Sequence, residues 1–352
     1  MLRFLYGLAA LVGTAASTPA AVQPQAPAAA PPSAAASAGH PSEVSIPDTR
    51  RIAFVSRING HSYSIDVALP EVPPPPKGYP VIYVLDGDAY FGAMAEAVRV
   101  NDNAPQAVVV GIGYPRDPVW ATSVLARHQP LPPEFATAPP FDAAESLERM
   151  YDMGLPMNEA ELKEASATGA SLTARNVGGM DDFLKTIETE VKPRVYALAP
   201  INRADQTLFG HSLGGLAVLE ALFTEPTAFR TFVAASPSIW WADKEVLRNE
   251  AAFSARVADG RATPRVLVTV GAEEETLPKN LPPPMAALKM KLEALVKRAR
   301  MVGNACDLAL RLRSLHGAAG YEVAPCAVFP AQAHGISVWP AMGRAVSFAF
   351  PQ

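Results

Sequence analysis

The sequence predicts an α/β fold in which helices cover both faces of a mostly parallel central sheet. Short apolar runs without polar alternation recur along the chain, as is typical of strands buried on both faces. Segments with apolar residues at helical spacing separate these runs, and such alternation builds a parallel sheet. The predicted strands, of which the first two form a hairpin, span residues 51–57, 62–69, 80–85, 107–112, 207–210, 231–235, 265–270 and 321–329.

Composition supports a globular protein. The 352 residues are 49% hydrophobic and 18% charged, which is too apolar for a disordered chain. The formal net charge is −4 and there is no basic run, so we do not expect nucleic acid as a partner. One domain, residues 49–352, is long enough to bury a large core. The sequence says nothing about oligomeric state.

Helical patterns fill most gaps between the strands. The clearest covers residues 180–195, where Phe183, Ile187, Val191 and Val195 recur at four-residue steps. Further helices are predicted at residues 213–223, 285–300 and 338–348.

Residues 115–178 break the alternation. They are rich in proline and contain only weak helical signals, at residues 142–152 and 159–165, with no strand. Long irregular insertions are commonly functional, so we interpret this one as a cap over a pocket. A surface excursion without a role is the alternative.

The N-terminal segment has the pattern of an export signal. Arg3 precedes the apolar residues 4–12, and small residues follow up to Ala21. The apolar run is shorter than the roughly 20 residues that cross a bilayer, so residues 1–21 are predicted to be a cleaved signal peptide. Residues 22–48 are an Ala- and Pro-rich linker. We expect a periplasmic or secreted protein without stable membrane insertion after cleavage.

The chain contains two cysteines, Cys306 and Cys326. An oxidising compartment would permit one disulfide between them. Two buried free thiols are the alternative, because the sequence does not reveal the Cα separation on which a bridge depends.

Residues 210–215, Gly-His-Ser-Leu-Gly-Gly, are the most informative stretch. They lie between a short apolar strand and a helix, the context of the nucleophile turn in the α/β-hydrolase fold. Side chains at Gly210 and Gly214 would collide in so tight a turn. We therefore predict Ser212 as a nucleophile. His211 precedes it and points elsewhere, which suits a packing role.

His334 is the candidate base, because it follows the last core strand, where this fold carries its histidine. The acid should lie between serine and histidine in the chain. Residues 273–275 are all glutamate and follow a predicted strand. Glu274 is our choice and Glu273 the second. A Ser-His pair without an acid is an open alternative.

The oxyanion requires two N–H donors. Leu213 would supply one from the start of its helix, and Asp88 the other from the loop after residues 80–85. Asp86 and Asp88 alone offer too few ligands for a metal, so we expect no metal and no cofactor.

Further stretches carry a family resemblance, namely residues 79–87 (Tyr-Pro-Val-Ile-Tyr-Val-Leu-Asp-Gly), 110–114 (Val-Gly-Ile-Gly-Tyr), 183–184 (Phe-Leu), 190–193 (Glu-Val-Lys-Pro) and 236–241 (Ser-Pro-Ser-Ile-Trp-Trp). With the nucleophile string they resemble the esterase D-like α/β-hydrolases, and within them the siderophore esterases that cleave enterobactin-type trilactones. The chain departs from that branch at residues 126–130 (Ala-Arg-His-Gln-Pro), where an Arg-x-x-Asp-Leu-Thr-Pro-like stretch would be expected. The resemblance implies Ser212, His334 and the N–H groups of Asp88 and Leu213 as the machinery, with Trp240 and Trp241 lining the pocket.

These observations predict a serine hydrolase that cleaves small-molecule carboxylic esters through an acyl-enzyme. The resemblance implies siderophore-type lactone esters as substrates. An acyltransferase of the same fold is an alternative, as is a non-catalytic binding protein that kept the fold. Core packing is the alternative for one of Trp240 and Trp241, since a large aromatic side chain is also well suited to a hydrophobic core.

Overall fold

A computed structural model describes residues 45–101, 106–136, 138–167, 172–277, 281 and 289–351. The predicted signal peptide and residues 22–44 of the predicted linker lie outside these ranges, as do residues 285–288 of one predicted helix.

The described residues form one mixed sheet of nine strands. The strands are β1 (Thr49–Val55), β2 (Ser62–Ala68), β3 (Tyr79–Leu85), β4 (Val108–Gly113), β5 (Ile201–His211), β6 (Thr231–Ala235), β7 (Arg265–Gly271), β8 (Glu322–Val323) and β9 (Ala327–Phe329). Their order is β1-β2-β4-β3-β5-β6-β7-β8, and β9 also pairs with β7. The pairs β1-β2 and β2-β4 are antiparallel and all others are parallel. The predicted fold class is confirmed.

The last predicted strand is divided in two. Both β8 and β9 pair with β7, and residues 324–326 interrupt them. Pro325 lies in this break, and proline cannot donate a backbone hydrogen bond to a neighbouring strand. Strand β5 begins six residues earlier than predicted. Its first half is partly exposed and therefore lacks the apolar signal of a buried strand.

Helices pack on both faces of the sheet. They are α1 (Gly87–Arg99), α2 (Pro118–Arg127), α3 (Pro133–Ala136), α4 (Pro140–Met153), α5 (Glu159–Ala167), α6 (Met180–Thr186), α7 (Lys192–Leu198), α8 (Leu213–Thr224), α9 (Glu250–Ala258), α10 (Lys289–Ala299), α11 (Met301–Arg313) and α12 (His334–Ala349). A π-helical turn, Ile187–Val191, joins α6 to α7, and a 3-10 segment spans Trp241–Asn249. Along the described residues no helix combines the length and apolarity needed to cross a membrane.

A hydrophobic core lies on each face of the sheet, and the strand residues alternate between the two cores. Ile82 and Phe209 face the side covered by α1 and α12, whereas their neighbours Tyr83 and Leu208 face the side covered by α8 and α11. Successive strand residues point to opposite faces. Burial on both faces therefore explains the continuous apolar runs from which the sheet was predicted.

The insertion is helical and is held against the core by buried polar contacts. It contains α2 to α5, and no strand is found among its described residues. Asp152 of α4 accepts hydrogen bonds from Tyr63 and Tyr114 at 2.9 and 3.0 Å. His61 Nδ1 lies 3.1 Å from Glu148 and 3.2 Å from Asp152, and both carboxylates are completely buried. Breaking these contacts would leave buried charge unpaired, so α4 is firmly docked.

Cys306 and Cys326 form a disulfide, with their Cα atoms 5.1 Å apart. The bridge connects α11 to the segment between β8 and β9. It therefore ties a covering helix to the short strands at the edge of the sheet. The sequence left this pairing open.

Replacing both cysteines, C306S/C326S, should lower the free energy of unfolding by about 3 kcal/mol. The bridge closes a loop with a sequence separation of 20, and opening it frees the unfolded chain. Urea denaturation followed by circular dichroism measures the loss. These are the chain's only cysteines, so reductant should destabilise the unmodified protein equally and leave the variant unchanged. Equal urea midpoints for variant and oxidised parent would contradict a stabilising bridge.

Candidate active site

Ser212 occupies a strained turn between β5 and α8. Its φ of 63° and ψ of −117° lie outside the regions that residues with a side chain usually adopt. Its N–H donates to Ala235 at 3.0 Å, and its carbonyl accepts from Leu216 and Ser238 at 3.0 and 3.1 Å. Such strain costs about 1–3 kcal/mol and persists only where the surroundings enforce it. The turn places Ser212 at the carboxyl end of the parallel strands.

Close backbone contacts explain the glycines around Ser212, with one correction. A Cβ on Gly210 would lie 2.3 Å from the carbonyl oxygen of Gly214, and a Cβ on Gly215 would lie 2.8 Å from that of Ala235. A Cβ on Gly214 would meet Asp86 Oδ2 only at 3.3 Å. The collision predicted at Gly210 is confirmed, but the one predicted at Gly214 is wrong, because the second tight approach occurs at Gly215.

His334 is the first residue of α12 and is buried. Its Nδ1 lies 2.6 Å from Oε2 of Glu274. The other oxygen of Glu274 accepts from the N–H of Gly271 and the hydroxyl of Ser236, both at 2.6 Å. Both carboxylate oxygens are thus occupied, and the carboxylate orients the imidazole from one side.

The environment of Glu274 favours its ionised form. Burial by itself would raise the pKa of this carboxyl. The hydrogen bond and charge of His334 act against burial, and so do the bonds from Ser236 and Gly271. Together they hold the pKa of Glu274 below its ordinary value. Glu273 is exposed, so of our two candidates only Glu274 meets the imidazole.

His211 connects the serine turn to His334. It is buried, and its ring centroid lies 4.6 Å from that of His334. Its Nε2 is 3.0 Å from the carbonyl oxygen of His334, which can only accept, so we assign the proton to Nε2. Burial, then the charges of His334 and Arg149, lower the pKa of His211 well below its usual value. A neutral His211 that fixes backbone agrees with the packing role expected of it.

The loop after β3 lies beside the serine turn. Asp86 adopts a left-handed conformation and its carbonyl accepts from the N–H groups of Ala89 and Tyr90, which starts α1. Asp88 is the second residue of α1, as Leu213 is the first of α8. The first N–H groups of a helix have no acceptor within it and attract negative charge. A Cβ on Gly214 would lie 3.3 Å from Asp86 Oδ2, so the first turn of α8 packs against the residue that precedes α1, an arrangement that could stabilise an oxyanion.

Both aspartates of this loop have protein partners. Asp86 forms a bidentate ion pair with Arg149 at 2.6 and 2.9 Å. Asp88 accepts a hydrogen bond from the N–H of Tyr114 at 2.8 Å. Within the described ranges no cluster of three or more His, Cys, Asp or Glu residues could hold a metal ion.

The two tryptophans differ in environment. Trp241 is buried and donates from its indole to the carbonyl of Leu155 at 3.0 Å. It therefore packs in the core against the end of the insertion, which is the core alternative that the sequence left open. Trp240 is only partly buried, with its ring centroid 6.1 Å from that of Trp241. The pocket prediction stays with Trp240.

Three polar residues of the site received no role from the sequence. Ser236 and Ser238 follow β6 and contact Glu274 and Ser212, respectively. Their Ser-Pro-Ser motif after an apolar strand was a usable signal. Arg149 had none, because it reaches the site from the insertion through tertiary contacts alone.

Comparisons with known proteins identify relatives of this chain. The family model described as Putative esterase matches residues 143–307. The chain is 35% identical over 243 residues to the ferri-bacillibactin esterase BesA of Bacillus subtilis, covering 67% of this chain and 74% of that protein. It is 29% identical over 249 residues to the siderophore triacetylfusarinine C esterase of Aspergillus fumigatus, covering 68% and 73%.

Solved structures share the fold. The BES protein from Bacillus cereus superposes with a TM-score of 0.67 at 26% identity, covering 88% of this chain and 97% of that one. The siderophore hydrolase EstB from Aspergillus nidulans superposes with a TM-score of 0.67 at 23% identity, covering 88% and 98%.

Alanine should destabilise the protein strongly at Gly210 and only slightly at Gly214. G210A places a Cβ against backbone, so we expect a loss of at least about 3 kcal/mol in unfolding free energy or failure to fold. G214A meets a side-chain oxygen at 3.3 Å and lies in a helix, where alanine is favoured by roughly 1 kcal/mol, so it should fold within about 1 kcal/mol of the parent. Thermal and urea unfolding measure both. Equal stabilities would show that the turn is not packed as described.

Proposed function

Because the chain belongs to the esterase family that includes the ferri-bacillibactin esterase, we propose that it hydrolyses siderophore esters with Ser212 as nucleophile, His334 as base and Glu274 as acid. The observation that carries the serine mechanism is the buried contact of 2.6 Å between His334 Nδ1 and Glu274, next to the strained turn of Ser212. A carboxylate in that position selects the imidazole tautomer that can accept a proton at Nε2.

In the first half-reaction the hydroxyl of Ser212 attacks the ester carbonyl and gives its proton to His334. The N–H groups of Asp88 and Leu213 stabilise the oxyanion of the tetrahedral intermediate. The intermediate collapses, His334 protonates the departing alkoxide, and the acyl group stays on Ser212. Water then repeats the sequence and releases the acid. These steps use protein groups and water only, so the proposal includes no cofactor.

Glu274 favours a triad over a Ser-His pair. Its lowered pKa keeps the carboxylate ionised at neutral pH, where it stabilises the positive charge that His334 acquires during the attack. Ser236 and the N–H of Gly271 hold the other oxygen, so the carboxylate does not rotate away from the ring. An orienting group that is itself fixed loses little entropy in the transition state.

The substrate class rests on the two curated relatives, whose names both describe siderophore esterases. The insertion, residues 115–178, would cap the bound ester. Support for this comes from Arg149 of α4, which contacts both the loop after β3 and the serine turn. Trp240, partly buried after β6, would border the same pocket.

Substitutions of Ser212 and of the two candidate acids test the mechanism. S212A should abolish turnover of p-nitrophenyl butyrate and of a tricatecholate trilactone. E274Q should lower kcat by about 10³- to 10⁴-fold, because it removes the group that orients and stabilises the imidazole. E273Q alters an exposed neighbour and should stay within about twofold of the parent. Release of p-nitrophenol and chromatography of the trilactone fragments provide the rates.

Different results would select the alternatives. Full activity in E274Q would indicate a Ser-His pair. Ester formation with added alcohols at the expense of acid would indicate an acyltransferase. Equal slow rates for S212A and the parent would refute serine catalysis and favour a binding protein.

We also propose export. The pattern of residues 1–21 and the disulfide between Cys306 and Cys326 both suit an oxidising compartment. Expression of the full chain in a Gram-negative host should yield a periplasmic or secreted form that has lost residues 1–21 or a slightly shorter peptide. N-terminal sequencing identifies the cut. A cell-internal protein that keeps Met1 would contradict export.

A further inference from the structure

Arg149 joins three separate parts of the fold at one guanidinium group. It belongs to α4 of the insertion. Its Nε and Nη2 donate to the two carboxylate oxygens of Asp86, after β3, at 2.6 and 2.9 Å. Nη2 also lies 3.3 Å from the carbonyl oxygen of His211, at the end of β5. The contact therefore spans the insertion, the loop that precedes Asp88 and the residue that precedes Ser212.

The conformation of Asp86 links its ion pair with Arg149 to the start of α1. Asp86 has a left-handed backbone and begins α1, so the direction of the N–H groups of α1 depends on its conformation. Its Oδ2 lies 3.3 Å from the place where a Cβ on Gly214 would stand. The carboxylate thus packs against the first turn of α8, between the two helix N-termini that carry the N–H groups of Asp88 and Leu213.

Arg149 also affects the electrostatics of the site, because its positive charge lies against the carboxylate of Asp86. A bare carboxylate between the two N-termini would oppose the negative charge of an oxyanion. Burial would lower the pKa of Arg149, but the charge and hydrogen bonds of Asp86 raise it above its ordinary value, so Arg149 keeps its positive charge beside this carboxylate. Arg149 keeps 24% of its side chain exposed and Asp86 only 7%.

We propose that Arg149 is a positioning residue for ester hydrolysis, which clamps the loop of Asp86 to the serine turn and so sets the spacing of the N–H groups of Asp88 and Leu213. This inference rests on the proposed function. It assigns the insertion a part in the chemistry, in addition to covering the substrate. The forked guanidinium is essential, because it bonds two acceptors on different segments at once.

R149M tests the clamp with p-nitrophenyl butyrate as the substrate. Displacement of catalytic groups by about 1 Å costs roughly 100-fold, so kcat should fall by about 100-fold while KM changes by less than about threefold. The rate of inactivation by a fluorophosphonate, whose reaction also develops an oxyanion, should fall in parallel. R149K keeps the charge but not the fork, so its kcat should remain at least about tenfold below the parent.

The matched control is R175M. Arg175 also lies in the insertion, but it is exposed, and its guanidinium donates to the carbonyl of Gln129 at 3.3 Å. Its kcat should stay within about twofold of the parent. Circular dichroism and thermal unfolding establish that each variant is folded. If R149M does not fold, R149K decides alone.

Three results would overturn the clamp. They are unchanged kcat in R149M, full activity in R149K, and a defect confined to KM, which would mean that Arg149 contacts substrate. The proposed function is refuted by a different result, namely that S212A hydrolyses the ester as fast as the parent. In that case both proposals fall. If hydrolysis requires Ser212 but does not change when Arg149 is replaced, only the clamp is refuted.

Discussion

The tight turn at Ser212 is the constraint on which the site depends. Its positive φ places the hydroxyl above the sheet, and three backbone hydrogen bonds to Ala235, Leu216 and Ser238 hold it there. The approach of Gly210 to Gly214 leaves no room for a side chain. A cost of about 1–3 kcal/mol for the strained residue is small against the burial of a large α/β core. The surrounding structure therefore holds Ser212 in a strained conformation and restricts its movement.

The parallel sheet explains why residues far apart in the chain meet. Ser212, Ser236, Glu274 and His334 follow β5, β6, β7 and β9, respectively, so all lie at the carboxyl edge of adjacent strands. Two of them are then fixed by a neighbour: Glu274 by Ser236, and the backbone of His334 by the neutral His211. The sheet supplies proximity, and hydrogen bonds between successive loops supply orientation.

Sequence reasoning predicted the parts of this structure that carry local signals. Apolar runs predicted the sheet, and the order Ser, acid, His pointed to Glu274, whose carboxylate lies 2.6 Å from Nδ1 of His334. The sequence analysis failed where position depends on tertiary contacts. The sequence left Trp241 between pocket and core, and it gave Arg149 no role although its helix had a weak signal, because both positions are set by contacts between the insertion and the rest of the fold. Helices α1, α2, α3, α9 and α11 were not predicted.

Trapping the acyl-enzyme tests the central claim most directly. The full chain is mixed with p-nitrophenyl acetate, quenched in acid within the burst of p-nitrophenol, digested and mapped by peptide mass spectrometry. The account predicts an acetyl group on Ser212 in an amount equal to the burst. A burst with the acetyl group on another residue, or turnover without any trapped acyl group under conditions where deacylation is slow, would contradict Ser212 as the nucleophile.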